Sequence, residues 1–303
     1  MFDRMSNIWV DTDFGFDDLW AILLLRRNGI RIAGISLTFG NATLHQAVAN
    51  ALGARAAYSL SEPLFAGAER PMVRSLETAE RILGAPGMRS RGEVLPVPSS
   101  VPVLPSATDG MSAWLRVAQE PAILAIGPLT NIAQLLRQAP EAAQKIARIV
   151  WMGGSNGPGN HSAAAEFNCL ADPEAAEAVA GSGIPLDVVD LELCRQVTFG
   201  SEDMPEMTRL SADLLGGYLD IALERGRSSM SVYDPVAACA IASLVPISFQ
   251  PMALEICTAD GPDYGATRFF CDESSTIRLA TACPPETKTV CLAALAQDHA
   301  HVP

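Results

Sequence analysis

Short, almost wholly apolar runs alternate with helix-forming stretches along the chain, and this alternation restricts the fold more than any other feature. Ile8-Trp9-Val10, Ile30 to Thr38, Pro63-Leu64-Phe65-Ala66, Ala122 to Ile126, Ile146 to Met152 and Pro185 to Val189 read as strands. Asp17 to Asn28 (closed by Gly29), Leu44 to Leu60, Leu129 to Gln138 and Pro173 to Ala180 read as helices. A strand without polar alternation is buried on both faces, and strands separated by helices pair in parallel through crossovers. The expected class is therefore α/β: an open, mostly parallel sheet with helices on both faces. Sites in such sheets lie at the carboxyl ends of the strands. Gly84 to Pro105, rich in Gly, Pro, Ser and Val, reads as an irregular surface loop, and the α/β pattern resumes beyond it without a composition shift. One domain spanning 1–303 is the simplest expectation.

Composition removes several function classes. The formal charge is −13 and no Lys/Arg block occurs, so a nucleic-acid partner is not expected. No apolar run reaches the length of a membrane span; the longest candidate, Leu19 to Leu25, stops at Arg26 and Arg27. Met1-Phe2-Asp3-Arg4-Met5 does not resemble a signal peptide, which makes a soluble cytoplasmic protein the expectation. The seven cysteines are irregularly spaced with no Cys-x-x-Cys, against a disulfide framework or structural zinc. Of the four histidines, His299 and His301 fall in the C-terminal tail.

The chemistry-bearing segment is Asp11-Thr12-Asp13-Phe14-Gly15-Phe16-Asp17-Asp18. It joins the first strand to the first helix. Asp11 and Asp13 share a side if the chain stays extended, Gly15 permits a tight turn, and Asp17 and Asp18 open a helix whose dipole favours negative charge. Like charges about 4 Å apart repel by roughly 4 kcal/mol at an effective dielectric near 20. Such a cluster needs protons or a cation, and hard oxygen ligands select Ca²⁺ or Mg²⁺. Two other readings stand beside this one. Asp17 or Asp18 could simply cap the helix. Asp-x-Asp after a first strand also opens phosphatases of the haloacid dehalogenase type, in which Asp11 would be a nucleophile supported by Mg²⁺ and a later lysine; only Lys145 and Lys288 are present.

The same segment resembles the N-terminal signature of the inosine-uridine preferring nucleoside hydrolases, Asp-x-Asp-Pro-Gly-x-Asp-Asp. Further matches follow in the family's order: Thr38-Phe39-Gly40-Asn41, Pro63 to Ala68, Ile126-Gly127-Pro128-Leu129-Thr130-Asn131, Met152-Gly153-Gly154, Gly159-Asn160, Ala165-Glu166-Phe167-Asn168, Asp172-Pro173-Glu174-Ala175, and Tyr233-Asp234-Pro235. The resemblance covers roughly Ile8 to Ala242. It implies a Rossmann-like nucleoside hydrolase fold, Ca²⁺ as cofactor, a nucleoside as small-molecule partner, and a homodimer or homotetramer. It also implies that Asp13 is general base and calcium ligand. Asp18, Asp234 and the Ile126 carbonyl would complete the metal site, with Asp11 a ligand or close neighbour. Asp17, Asn41, Asn160, Glu166 and Asn168 would hold the ribose.

Two departures stand out. Phe14 replaces the family's proline, which should alter turn rigidity more than chemistry. Tyr233 replaces a histidine that serves some members as leaving-group acid; a phenol is a weaker acid at neutral pH, and Tyr233 reads better as pocket lining or a surface for the base to stack on. Asp172 reads as a cap for the helix begun by Pro173. His161 adjoins Asn160, but its spacing alone does not assign it to catalysis. A binding protein that has lost turnover is the third reading these departures leave open.

Overall fold

The computed structural model describes residues 8–296; the Met1 to Met5 segment and the tail histidines His299 and His301 lie outside them. Eleven strands occur among these residues: β1 Ile8–Thr12, β2 Ile32–Leu37, β3 Leu64–Ala66, β4 Ala122–Ala125, β5 Arg148–Met152, β6 Leu186–Val189, β7 Thr198–Phe199, β8 Met230–Ser231, β9 Ser248–Ile256, β10 Thr267–Cys271 and β11 Ile277–Ala282. Nine of them form one sheet in the order β10-β9-β11-β6-β5-β4-β1-β2-β3, and β7 pairs with β8 separately.

From β3 across to β11 every pairing is parallel, whereas β9 joins β11 and β10 antiparallel. All five residues of β1 are buried, as a central strand covered on both faces requires. Val10 belongs to the core on one side of the sheet and Trp9 to the core on the other. The chain leaves β1 towards β2 on one side and returns to β4 on the other. The sheet's switch point thus falls between β1 and β4, where a crevice opens beyond the carboxyl ends.

The helix after β1, Phe16–Arg27, starts where the Asp18 carboxylate accepts the Gly15 N–H at 2.8 Å and stops before Gly29, at φ +71°. Its first turn carries Asp17 and Asp18. Leu44–Tyr58, Thr130–Gln138 and Pro173–Ala180 are helical as expected, and Asp172 caps the last by accepting the Ala175 N–H. The 84–105 stretch holds no helix or strand. Among the described residues no helix is long and apolar enough to cross a membrane.

Candidate active site

The crevice at the switch point is lined from several elements at once. Asp13 comes from the turn after β1, Asn41 from the loop after β2, Ile126 from the end of β4, and Met152 from the end of β5. Asn160, His161, Glu166, Phe167 and Asn168 form one wall. Tyr218 and Ile221 of the helix Arg209–Leu223, with Arg225, Met230, Tyr233 and Asp234, form another. Ala79, Ile82 and Leu83 close the rim.

Asp13, Asp17 and Asp234 line its floor, and Asp18 is buried against them. Oxygens of Asp17, Asp18 and Asp234 lie within 4.8 Å of one another. Asp234 opens the helix Asp234–Ala242 without capping it, so its carboxylate is available to the cluster. Asp13 joins through its contacts with Asp18. Burial pushes the Asp13 and Asp234 carboxyls well above the ordinary range, and the neighbouring carboxylate charges add to it. Asp17 rises to about 7, first from desolvation and then from Asp18. Asp18 is also raised by burial, opposed by hydrogen bonds from Thr12 and the Gly15 N–H. The charges acting on these groups are chiefly one another's, the condition a bound cation relieves.

Asn41 organises the cluster. Its backbone N–H donates to Asp13 Oδ2 at 2.7 Å, and its side-chain amide donates to Asp13 Oδ1 at 3.1 Å and Asp18 Oδ2 at 3.2 Å. The ribose-holding residues also have structural duties. Glu166 Oε1 accepts the Asn168 N–H at 2.8 Å, while Oε2 accepts those of Gly154 at 2.8 Å and Cys169 at 3.0 Å. Burial nonetheless lifts its carboxyl to about 7. Asn160 accepts the Phe167 N–H at 3.0 Å, and Asn168 donates to the Met152 carbonyl at 3.0 Å.

Asp11, also fully buried, is held by different partners. Its Oδ1 accepts the Ser36 hydroxyl and, at 2.7 Å, the Asn131 amide, while Oδ2 is buried without a hydrogen-bond partner. Like Asp18, it is fully buried and does not itself line the crevice. β1 ends at Thr12, and the turn at Phe14, φ +54°, replaces the extended path on which Asp11 and Asp13 were expected to share a side. The phosphatase reading required Asp11 as nucleophile, and this placement removes its geometric basis.

Tyr218 is the wall residue that sequence reasoning did not assign. Its hydroxyl donates to Asp17 Oδ2 at 3.0 Å and lies 3.3 Å from the Ser231 carbonyl. Tyr233, in place of the family's histidine, is half-buried in the crevice wall, and desolvation pushes its hydroxyl up.

Residues 8–298 match the family model described as inosine-uridine preferring nucleoside hydrolase. The chain belongs to that family, and is an enzyme that hydrolyses the N-glycosidic bond of nucleosides. Among curated relatives, the pyrimidine-specific ribonucleoside hydrolase RihA of Citrobacter koseri is 36% identical over 247 residues, 78% of this chain and 78% of the relative. The pyrimidine-specific RihB of Escherichia coli is 31% identical over 277 residues, covering 88% of this chain and 87% of the relative. Two solved structures share the fold: a plant nucleoside hydrolase (TM-score 0.84, 23% identity, 97% of this chain and 99% of that one) and a purine-preferring ribonucleoside hydrolase from Gardnerella vaginalis (TM-score 0.84, 24% identity, 96% and 99%). Membership in the nucleoside hydrolase family, rather than a phosphatase family, sets the phosphatase reading aside.

Proposed function

We propose that this enzyme is a Ca²⁺-dependent ribonucleoside hydrolase in which Asp13 is the general base. The observation that carries the reading is the convergence of Asp17, Asp18 and Asp234, from chain segments more than two hundred residues apart, within 4.8 Å of one another, with Asp13, Asp17 and Asp234 lining one crevice and Asp18 buried beside them. The donor set is all oxygen, and its charges are mutually unfavourable, which fits a hard divalent ion. Asp13, Asp18, Asp234 and the Ile126 carbonyl would hold it. Asp17 falls in the same group, but its bond to Tyr218 and the family resemblance assign it to the ribose. When bound, calcium lowers the pKa of a coordinated water and can also take ribose hydroxyls.

The chain's own residues supply the rest. Asp13, held at both oxygens by Asn41, takes a proton from the attacking water. The surrounding carboxylates stabilise the oxocarbenium-like ribosyl group as the bond to the base breaks. Glu166 keeps a lone pair on Oε1 beyond its one backbone bond, so it can still accept from a ribose hydroxyl. Asn160 and Asn168 stand on the same wall, and Tyr233 borders the base. Asp11, tied through Oδ1 to Ser36 and Asn131, braces β1 against β2 as a close neighbour of the metal site. Similarity to the two pyrimidine-specific relatives supports pyrimidine ribonucleosides as the preferred substrates. A homodimer or homotetramer in the cytoplasm rests on the sequence resemblance and composition alone.

Asp13→Ala tests the assignment by release of free base from uridine and inosine. The proposal expects a loss of about 10²-fold or more. Near-normal turnover would sink it.

A further inference from the structure

Cleavage leaves the electron pair of the C1′–N bond on the base, and none of the residues assigned above delivers a proton to it. The crevice carboxyls are committed elsewhere: Asp13, Asp17 and Asp234 to the cation and ribose, and Glu166, whose two oxygens both accept backbone N–H bonds, to the acceptor role. Beyond these and its amides, the crevice contains four side chains with N–H or O–H groups: Tyr218, Tyr233, Arg225 and His161. Tyr218 has one hydroxyl proton, already directed at Asp17 and the Ser231 carbonyl. Tyr233 is buried in a way that strengthens its hold on its proton. An arginine guanidinium does not give up a proton in proteins. Imidazole exchanges one near neutral pH.

His161 is also built in. Its Nε2 lies 2.7 Å from Glu77 Oε1, and its ring packs on Phe167 at 5.2 Å between centroids. The side chain is only 13% exposed. Phe167 belongs to a small apolar cluster with Phe39, Ala68 and Ala79 beneath the rim. Glu77 has a half-exposed side chain, but its loop is tied down two residues later, where the Ala79 N–H donates to the Gly40 carbonyl at 3.0 Å. A carboxylate on one ring nitrogen fixes the tautomer and orientation of an imidazole and leaves the other nitrogen free to work. Here that nitrogen is Nδ1, on a ring lining the crevice.

We propose that His161 is the acid that protonates the departing base, with Glu77 as its positioning residue. The assignment rests on the nucleoside hydrolase reading above and names the one role that Tyr233 left open. In the step, the C1′–N bond breaks and its electron pair passes to the base. The Nδ1 proton of the imidazolium moves to the base. Water oxygen bonds to C1′, and the proton it sheds goes to Asp13. Release of that proton and uptake of one by His161 from solvent restore the enzyme, so nucleoside plus water gives base plus ribose.

The experiment compares uridine with p-nitrophenyl β-D-ribofuranoside, both with Ca²⁺ present, because nitrophenolate leaves without protonation. His161→Gln is expected to lower kcat on uridine by about 10²- to 10⁴-fold while nitrophenyl riboside turnover stays within about threefold of wild type. The retained activity shows that the site is folded. Glu77→Gln should give a smaller loss, again on uridine alone. Equal losses on both substrates, or no loss on uridine, would overturn the proposal and leave His161 and Glu77 as a loop brace. Wild-type protein that cleaves neither substrate would instead remove the parent reading, and this assignment with it.

Discussion

Asn41 grips Asp13 at both carboxylate oxygens, one through the backbone N–H at 2.7 Å and one through the side-chain amide at 3.1 Å. Gly40 makes the approach possible: a Cβ there would stand 2.0 Å from Asp13 Oδ2. Groups that orient a metal ligand matter nearly as much as the ligand, and their loss costs about 10- to 100-fold in affinity or activity. Asn41→Ala should therefore lower kcat/KM for uridine by that amount and weaken Ca²⁺ binding in parallel, as titration calorimetry can measure. Gly40→Ala should do more damage, because it displaces Asp13 itself. Unchanged Ca²⁺ affinity in both variants would show that Asp13 needs no such support.

Tyr218→Phe removes the hydroxyl's bond to Asp17 and its longer contact with the Ser231 carbonyl, and leaves the ring in place. The ring stays stacked on Phe199 (6.4 Å, 3° between planes) and tilted against Phe16. A hydrogen bond to a charged group contributes about 1.5–3 kcal/mol. If Asp17 holds the ribose, the variant should raise KM by about tenfold or more, with melting temperature nearly unchanged. Loss of stability without any change in KM would place the bond in the fold rather than the site.

Phe14 occupies the position where the family signature carries proline, yet its φ is +54°. Proline holds φ near −65°, so it cannot adopt this turn. Its N–H would also be missed, since that of Phe14 donates to Thr12 Oγ1 at 3.0 Å. Restoring the family residue as Phe14→Pro should therefore destabilise by about 3 kcal/mol or more in urea unfolding. A variant at least as stable as wild type would contradict the turn described here.

The raised carboxyls give a pH signature. Asp17 and Glu166 titrate near 7 in the folded chain, against ordinary values near 4 when unfolded. Between those values the folded state binds more protons, so in chelator the contribution of these groups to stability must fall as pH rises from about 4 to 7. Calcium should reverse the trend, because protons compete with it: its stabilising effect should be small at pH 5 and large at pH 8. Thermal melts in chelator and in Ca²⁺ at both pH values check this. A calcium effect independent of pH would mean that the cluster binds the ion without giving up protons.

The parallel strands β1 to β6 could be read from sequence because they carry almost wholly apolar runs, whereas β11, parallel to β6 but interrupted by Arg278 and exposed at its end, could not. The antiparallel end could not. β9 alternates between exposed and half-buried residues and contains Pro251, which breaks a strand pattern. The helix Arg209–Leu223 was hidden for another reason. Gly216 and Gly217 lower its intrinsic propensity, and they are there because loop 89–91 packs on them; a Cβ on Gly217 would meet the Arg89 backbone at 2.5 Å. With that helix went Tyr218 and one wall of the crevice. Asp13, Asp17 and Asp18 were legible because they are neighbours in sequence, whereas Asp234 was recognisable only through the family resemblance. The His161–Glu77 pair joins residues 84 positions apart in two irregular loops, and no local pattern announces it.

Base release from uridine by chelated enzyme, before and after Ca²⁺ is returned, tests the central claim most directly. The account predicts that chelation abolishes turnover of the wild-type enzyme and that Ca²⁺ restores it, with Asp13→Ala inactive under both conditions. Full wild-type turnover in the presence of chelator would contradict it.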